Sequence, residues 1–360
     1  MSTDGYEERV SNQEPTVNYT SSFQGDYSIT TRKVVAFKFG GSSLLGAERM
    51  LHSARLVCEA RSANDVVVIV SAMQGVTDRL LGIARTLEAG CRSDARRDAG
   101  EILEFHLKVL HELQLEPQYH QRIEQELRAI GNGLLHDASP GKQPVSAGRA
   151  ALQDRLASYG ERFNARLFSA ALEKSGAPGV PVNSSEFVLT CNTFRDARPQ
   201  IKETRRRGRE ILLPLFDDGL IPVVTGFIGA TCDGRVTTLG RNSSDFSGAL
   251  VAHVVDASEL VIWTDVDGIY TANPRESAEA KLLHELSYDA AHALAAGGAK
   301  VLHAKVLPLA AENEMVVWVR NTFNPQFRGT RIGPPRERKP AVSTGYSCHN
   351  SIAEVKRELR

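Results

Sequence analysis

Apolar residues in this 360-residue chain follow two different periods. Short continuous runs, rich in β-branched and aromatic residues, read as buried strands. They are Val34 to Phe37, Val66 to Val70, Val180 to Val182, Ile221 to Thr225, Leu260 to Thr264 and Met315 to Val319. Between them, apolar spacing near 3.6 predicts helices over Gly46 to Ser62, Gln153 to Ser175 and Ile201 to Asp217. Residues from about 77 to 135 also read as mostly helical, interrupted at Pro117 and at Gly131-Asn132-Gly133. Strands alternating with helices predict an α/β fold, a three-layer αβα sandwich around a mainly parallel sheet. Ligands gather at the carboxyl ends of such strands, so chemistry is expected just after each one. Residues 1–31 are polar and aperiodic and are expected to form a disordered tail.

Composition narrows the function classes. Usage is ordinary for a globular protein, with 42% hydrophobic and 24% charged residues. The 43 basic residues balance the 43 acidic ones, so there is no global attraction to nucleic acid or an anionic membrane. The run Arg205-Arg206-Arg207-Gly208-Arg209 therefore reads as a solvated helix face. Five dispersed cysteines, with no C-x-x-C, argue against a disulfide framework or zinc site and fit a reducing cytoplasmic setting. No run has the length of a membrane span. The N-terminus has neither the pattern of a signal peptide nor the low acidity of a transit peptide.

Several strand ends carry candidate chemistry. Lys38-Phe39-Gly40-Gly41-Ser42-Ser43 follows the first strand. Paired glycines let backbone N–H groups approach phosphate oxygens, and a lysine there is a mobile point charge. The segment matches neither G-x-x-x-x-G-K-[ST] nor G-x-G-x-x-G, and alone it also fits an ordinary tight turn. Ser71-Ala72-Met73-Gln74-Gly75-Val76-Thr77 is a second strand-end loop with hydroxyls. Thr237 to Asp245 offers small donors, Arg241 and a carboxylate at a helix start, where an anion binds well. Asp245 reads equally as a residue offsetting the helix dipole. Ile262 to Tyr270, followed by Arg275, ends a strand in Thr264 and Asp265; Asp265 and Asp267 also fit plain turn chemistry. Gly160-Glu161-Arg162-Phe163 reads as a pair opening a helix, either exposed or holding an ammonium group. Gly297 to His303 sets Lys300 at a helix C-terminus.

Together these motifs resemble aspartate kinases of the amino-acid kinase superfamily, from residue 34 to about 332. The matching segments include Lys38 to Ser43, Gly160 to Phe163, Gly226-Phe227-Ile228-Gly229, Thr238 to Asp245, Trp263 to Arg275 and Asn321 to Pro325. The resemblance implies an amino-acid kinase fold and transfer of phosphate from ATP, with Mg²⁺, to the β-carboxylate of L-aspartate. It implies catalytic roles for Lys38 and Asp245, and an aspartate site from Ser71, Thr77, Glu161, Phe227, Arg241, Asn242, Ser243 and Ser244. ATP would meet Lys38, Gly40, Gly41, Ser42, Thr264, Asp265, Tyr270, Arg275, Lys300 and Val301. No residue is expected to hold a resident metal, and no tightly bound organic cofactor is implied. The catalytic domain would cover residues 32–332, with a substrate-side lobe to about 225 and a nucleotide-side lobe from about 226. Residues 333–360 would be a short extension, extended at Pro334, Pro335 and Pro340 and helical over Ser351 to Leu359, too short for ACT-type regulatory domains or feedback through them. Any homodimer would then pair through the catalytic domain.

Two departures leave other readings open. Ser243 stands where the family usually carries glycine, and its Cβ narrows the loop that meets substrate. That keeps in play a kinase for a related amino acid or carboxylate. Ala304-Lys305 replaces the usual proline and basic residue after His303, a smaller change. A non-catalytic regulatory subunit is the third reading, and the presence of Lys38, Asp245, Glu161 and Arg241 argues against it.

Overall fold

The computed structural model describes residues 32–139, 148–240, 243–272, 277, 279–296, 302–303 and 305–335. The expected tail and the expected helix near the C-terminus lie outside these residues, as do Arg241, Asn242, Arg275, Lys300 and Val301.

The described elements are strands and helices in succession, with four helices in a row, α2 to α5, where the sequence reads as mostly helical. The first half runs β1 (Lys33–Phe39), α1 (Gly46–Arg61), β2 (Asn64–Val70), α2 (Val76–Glu88), α3 (Arg92–Glu112), α4 (Pro117–Asp137), α5 (Gly148–Lys174) and β3 (Gly179–Val182). It continues with α6 (Ile201–Asp217), β4 (Ile221–Thr225), β5 (Ile228–Ala230), β6 (Val236–Thr238), α7 (Ser244–Val254) and β7 (Glu259–Thr264). The last elements are β8 (Ile269–Tyr270), β9 (Leu282–Leu283), β10 (Glu285–Leu286), α8 (Tyr288–Ala296), α9 (Val306–Glu312), β11 (Val316–Asn321) and β12 (Thr330–Ile332). Eight strands form one sheet in the order β10-β12-β11-β7-β1-β2-β4-β3. Pairings from β11 through β3 are parallel, and β12 is antiparallel to β11.

Strand alternation sorts side chains onto two cores. Val35, Phe37 and Phe39 of β1, with Val66, Val68 and Val70 of β2, pack against α1 through α5. Ala36, Val67, Ile69, Leu260 and Ile262 face the other way, toward α6 through α9. Strands buried on both faces explain the near-continuous apolar runs. The three-layer α/β sandwich is therefore as expected. Among the described residues, no helix is long and apolar enough to cross a membrane.

One local reading needs correction. Gly131 and Gly133 do not interrupt the helical region; both lie inside α4. A Cβ on Gly131 would fall 2.6 Å from the Leu103 methyls, and one on Gly133 would fall 2.9 Å from the Tyr159 hydroxyl. These glycines allow α3 and α5 to approach α4, and that packing outweighs their poor helix propensity. Pro117 opens α4, where its missing N–H is harmless. The short strands β5, β6, β8, β9, β10 and β12 escaped the sequence reading because two or three residues carry too little period.

The arginine run lies on α6, as read. Arg206 and Arg207 pair with Glu203, Arg206 also pairs with Glu210, and Arg205 and Arg209 both reach Asp256. The charges are matched locally on a solvated face.

Candidate active site

Lys38 is the penultimate residue of β1, and its side chain leaves the sheet toward α7. It is only 6% exposed. A buried ammonium needs a partner. Asp245, in the first turn of α7, supplies one at 2.7 Å from Nζ to Oδ1. Gly248, one turn further along α7, makes this approach geometrically available. A Cβ there would lie 3.2 Å from Lys38 Cβ and 3.4 Å from Lys38 Cγ. Sequence reading missed Gly248; an isolated glycine within a helical stretch was its only signal.

The turn after Lys38 is fixed from both neighbouring strands. Gly40 N–H donates to Trp263 O at the end of β7 (3.1 Å), and Gln74 N–H donates to Gly41 O (3.2 Å). No Cβ fits on Gly41, because it would meet Ala72 O at 2.6 Å and Gln74 N at 2.9 Å. Ser42 is half-buried, and its carbonyl accepts from Arg49. The glycine turn after β1 is thus clasped to the Ser71–Gln74 loop after β2.

That loop is held in turn by α5. Glu161 does not open a helix, as its sequence context suggested, but sits mid-helix and 3% exposed, because α5 begins at Gly148 and buries most of its length. Its Oε1 accepts from Ala72 N–H (3.1 Å), while Oε2 has no partner. Burial pushes its carboxyl up to about 8, and the Ala72 hydrogen bond opposes that only in part. Asn164, fully buried one turn later, donates from Nδ2 to Ser71 O (2.6 Å). Thr77, half-buried, lies in the first turn of α2 beyond the same loop.

A third segment approaches from β5 through α7. Phe227 adopts a left-handed backbone (φ 66°), and its N–H donates to Ser247 Oγ (2.7 Å). Ser243 is fully buried, its carbonyl accepts from Ser247 N–H (2.8 Å), and its Oγ has no partner. Ser244 begins α7. Asp154, on α5 and 2% exposed, accepts from Arg195 N–H, Thr238 N–H and Thr238 Oγ1 at 2.8 to 2.9 Å. It ties α5 to the strand that leads into this loop, and sequence reading missed it too. Its only signal was position, since Asp154 and Glu161 lie seven residues apart on one helix face.

The remaining candidates lie beyond β7. Thr264 Oγ1 donates to Asp265 Oδ1 (3.3 Å), and Thr264 O accepts from Thr322 N–H (2.8 Å). Asp267 serves as a local clamp, accepting from the side-chain amides of Asn321 (2.8 Å) and Asn324 (3.1 Å). That is the turn role read for it. Tyr270 lies on the β8–β9 hairpin, outside the main sheet, and burial raises its hydroxyl pKa. Bonded contacts thus gather Lys38, Gly40, Gly41, Ser71, Glu161 and Asp245 about the ends of β1 and β2. They do not connect Thr77 or Tyr270 to that group.

Comparison with known proteins identifies the family and the fold. Residues 33–321 match the amino acid kinase family. The lysine-sensitive aspartokinase 3 of Escherichia coli (strain K12) is 34% identical over 308 residues, spanning 86% of this chain and 66% of that protein. Aspartokinase 3, chloroplastic, of Arabidopsis thaliana is 33% identical over 322 residues, spanning 88% of this chain and 56% of that one. The crystal structure of E. coli aspartokinase III in complex with aspartate and ADP superposes with a TM-score of 0.73 at 32% identity, covering 85% of this chain and 65% of that one. This chain therefore spans between about half and two thirds of the length of these relatives.

Proposed function

Because the chain belongs to the amino acid kinase family, we propose that it transfers the γ-phosphoryl group of ATP to the β-carboxylate of L-aspartate, giving 4-phospho-L-aspartate and ADP. One observation carries this reading. A buried lysine at the end of β1, and a buried carboxylate on α5 that accepts from the loop after β2 and keeps one oxygen unpartnered, stand about the clasped ends of adjacent strands β1 and β2. A cation for a transferring phosphoryl group and an acceptor for an amino-acid ammonium thus share one edge of the sheet. The aspartokinase solved with aspartate and ADP supports the choice of both substrates.

The chemistry asks little covalent work of the protein. An aspartate side chain has a pKa of about 4, so the attacking carboxylate is already ionised at neutral pH. Its oxygen forms a bond to the γ-phosphorus, the bond from that phosphorus to the bridging oxygen breaks, and ADP leaves with the electron pair. No proton moves. The difficulty is bringing two anions together, so positioning and charge neutralisation dominate. Lys38 neutralises the phosphoryl oxygens, and Asp245 fixes where its ammonium stands. Gly40, Gly41 and Ser42 present backbone around the phosphates, with the N-terminal turn of α7 facing the same charge. Mg²⁺ arrives as part of the MgATP complex. Thr264, Asp265, Tyr270, Arg275, Lys300 and Val301 are assigned to the nucleotide. Glu161 takes the substrate ammonium, with Ser71, Thr77, Phe227, Asn242, Ser243 and Ser244 around it. Arg241 takes a carboxylate, which its guanidinium fork grips in two places. Residues 32–332 act as the catalytic domain, with the amino acid on the side of the first lobe. A reducing cytoplasmic compartment suits the four free cysteines among the described residues.

The test is ADP release coupled to L-aspartate, with hydroxylamine trapping the acyl phosphate as a hydroxamate. ADP release independent of aspartate, or no hydroxamate, would overturn the assignment. The unpartnered buried hydroxyl of Ser243 favours one second reading, a related amino acid with an additional acceptor. A panel of amino-acid and dicarboxylate substrates under the same assay separates the two.

A further inference from the structure

The chain between β3 and α6 closes on itself beside the candidate active site. Its two ends pair as antiparallel backbone at Thr190 and Pro199, where Cys191 N–H donates to Arg198 O (3.0 Å) and Gln200 N–H donates to Leu189 O (2.8 Å). Its tip is anchored twice more. Arg195 N–H donates to Asp154 Oδ2 (2.8 Å), and Ala197 N–H donates to Thr238 O (2.9 Å). These two bonds flank Asp196 and fix where its side chain starts.

The Asp196 carboxylate lies on the backbone of Gly240. That glycine has a φ of +100°, which disfavours any residue with a side chain, and a Cβ there would fall 2.9 Å from Asp196 Oδ1. The same Oδ1 is 3.2 Å from Lys305 Nζ. Lys305 stands at the start of α9, 109 residues further along the chain. Its ammonium is also 5.7 Å from the centre of the Phe246 ring, within reach of a cation–π contact. Phe246 is buried and stacked on His303, with 6.0 Å between ring centres, and His303 Nδ1 accepts from Lys305 N–H (3.3 Å). One ammonium therefore meets both ends of the loop from β6 into α7: Gly240 through Asp196, and Phe246 directly. Ser243, Ser244 and Asp245 stand between those ends, and Asp245 Oδ1 holds the Lys38 ammonium at 2.7 Å.

We infer that Asp196 and Lys305 are positioning residues for phosphoryl transfer, an ion pair that braces both ends of the loop presenting Asp245 to Lys38. The inference rests on the kinase reading and adds to it two residues outside the assigned substrate contacts. The pair acts at a distance, through Gly240 and Phe246. Its side chains are 70% and 42% exposed, so it adds little to stability, and its effect is to be read in rate.

The test is a charge cycle measured as kcat for L-aspartate beside thermal unfolding. An exposed ion pair corresponds to about a twofold to fivefold change in an equilibrium. Asp196→Asn and Lys305→Met are each expected to lower kcat by about that factor at low salt, with the unfolding midpoint unchanged. Methionine keeps an unbranched stem against Phe246 and removes only the charge. The double variant should lose no more than either single one, because both break the same pair. Lys305→Arg, which keeps the charge, should recover most of the loss seen with methionine. At about 1 M salt, where the Debye length is about 3 Å, the wild type should fall toward the variants and the gap should close. Additive losses in the double variant, no recovery with arginine, a gap that persists at high salt, or wild-type kcat in both single variants would each overturn this inference alone. Absence of amino-acid turnover by the wild-type protein would overturn the kinase reading, and this inference with it.

Discussion

The replacement Gly248→Ala isolates how helix α7 aims the reactive lysine. The new Cβ would stand 3.2 Å from Lys38 Cβ and 3.4 Å from both Lys38 Cγ and Leu260 Cδ1. Comfortable carbon contacts lie at about 3.5–4.0 Å, so the helix or the lysine stem must yield by roughly 0.3–0.5 Å. The cost of overpacking is about 1–3 kcal/mol, and alanine's better helix propensity returns about 1 kcal/mol of it. Net stability then falls by only about 0–2 kcal/mol. The effect on rate is separable from this. The displaced contact sits one turn from Asp245, whose oxygen lies 2.7 Å from the lysine nitrogen. A 1 Å misplacement costs about a hundredfold in rate, so a shift of a third to a half of that costs roughly fivefold to tenfold. The assay is steady-state ADP release with L-aspartate, beside thermal unfolding. Gly100→Ala serves as the control. Gly100 lies in α3 with open space around its Cα, so alanine there should stabilise by about 1 kcal/mol and leave kcat unchanged. A Gly248→Ala protein that folds normally and keeps wild-type kcat would refute the claim that this contact aims Lys38.

Glu161 is held largely protonated at pH 7 in the ligand-free protein, so binding of an ammonium should ionise it. Calorimetry with L-aspartate in two buffers of different ionisation enthalpy should show close to one proton released; buffer-independent heats would count against this. Because its folded pKa of about 8 lies above the ordinary carboxyl value of 4.5, Glu161 favours the folded state most below pH 4.5, and that contribution is lost as pH rises toward 8. Denaturant titrations of ligand-free Glu161→Gln should lack this part of the pH slope. His106 gives the opposite sign: fully buried and stacked on Phe163, it is held down to about 4, so its contribution is intact above pH 6.5 and lost as pH falls through 4. His106→Phe should unfold at lower pH than the wild type in an acid titration; an unchanged midpoint contradicts this. Asp154→Ala orphans three donors, at about 1–3 kcal/mol for each left unpaired, and should lower stability by at least about 3 kcal/mol in urea unfolding.

Much of the protein was legible in its sequence because the signals are local. A β-branched run buried on both faces looks apolar without interruption, so β1, β2, β4 and β7 could be read directly. Strands separated by helices imply a parallel sheet, and a parallel sheet implies chemistry at its carboxyl end. That logic picked out Lys38 and the Gly40–Gly41 turn as candidates without any contact information, while Asp245 was singled out by its place at a helix start. Tertiary structure decided what depends on neighbours distant in the chain. Glu161 looked like an exposed residue opening a helix, and became a buried acid only because α5 is enclosed by the sheet and by α2 to α4. Gly131 and Gly133 looked like breaks, and proved to be places where α3 and α5 press on α4. Asp154, Asn164 and Gly248 have no local signature of function. Their importance lies in what they touch, 84, 93 and 210 residues away at Thr238, Ser71 and Lys38 respectively. Periodicity reports which face of an element is apolar; which polar group is cut off from water, and by what, is fixed only when the layers close.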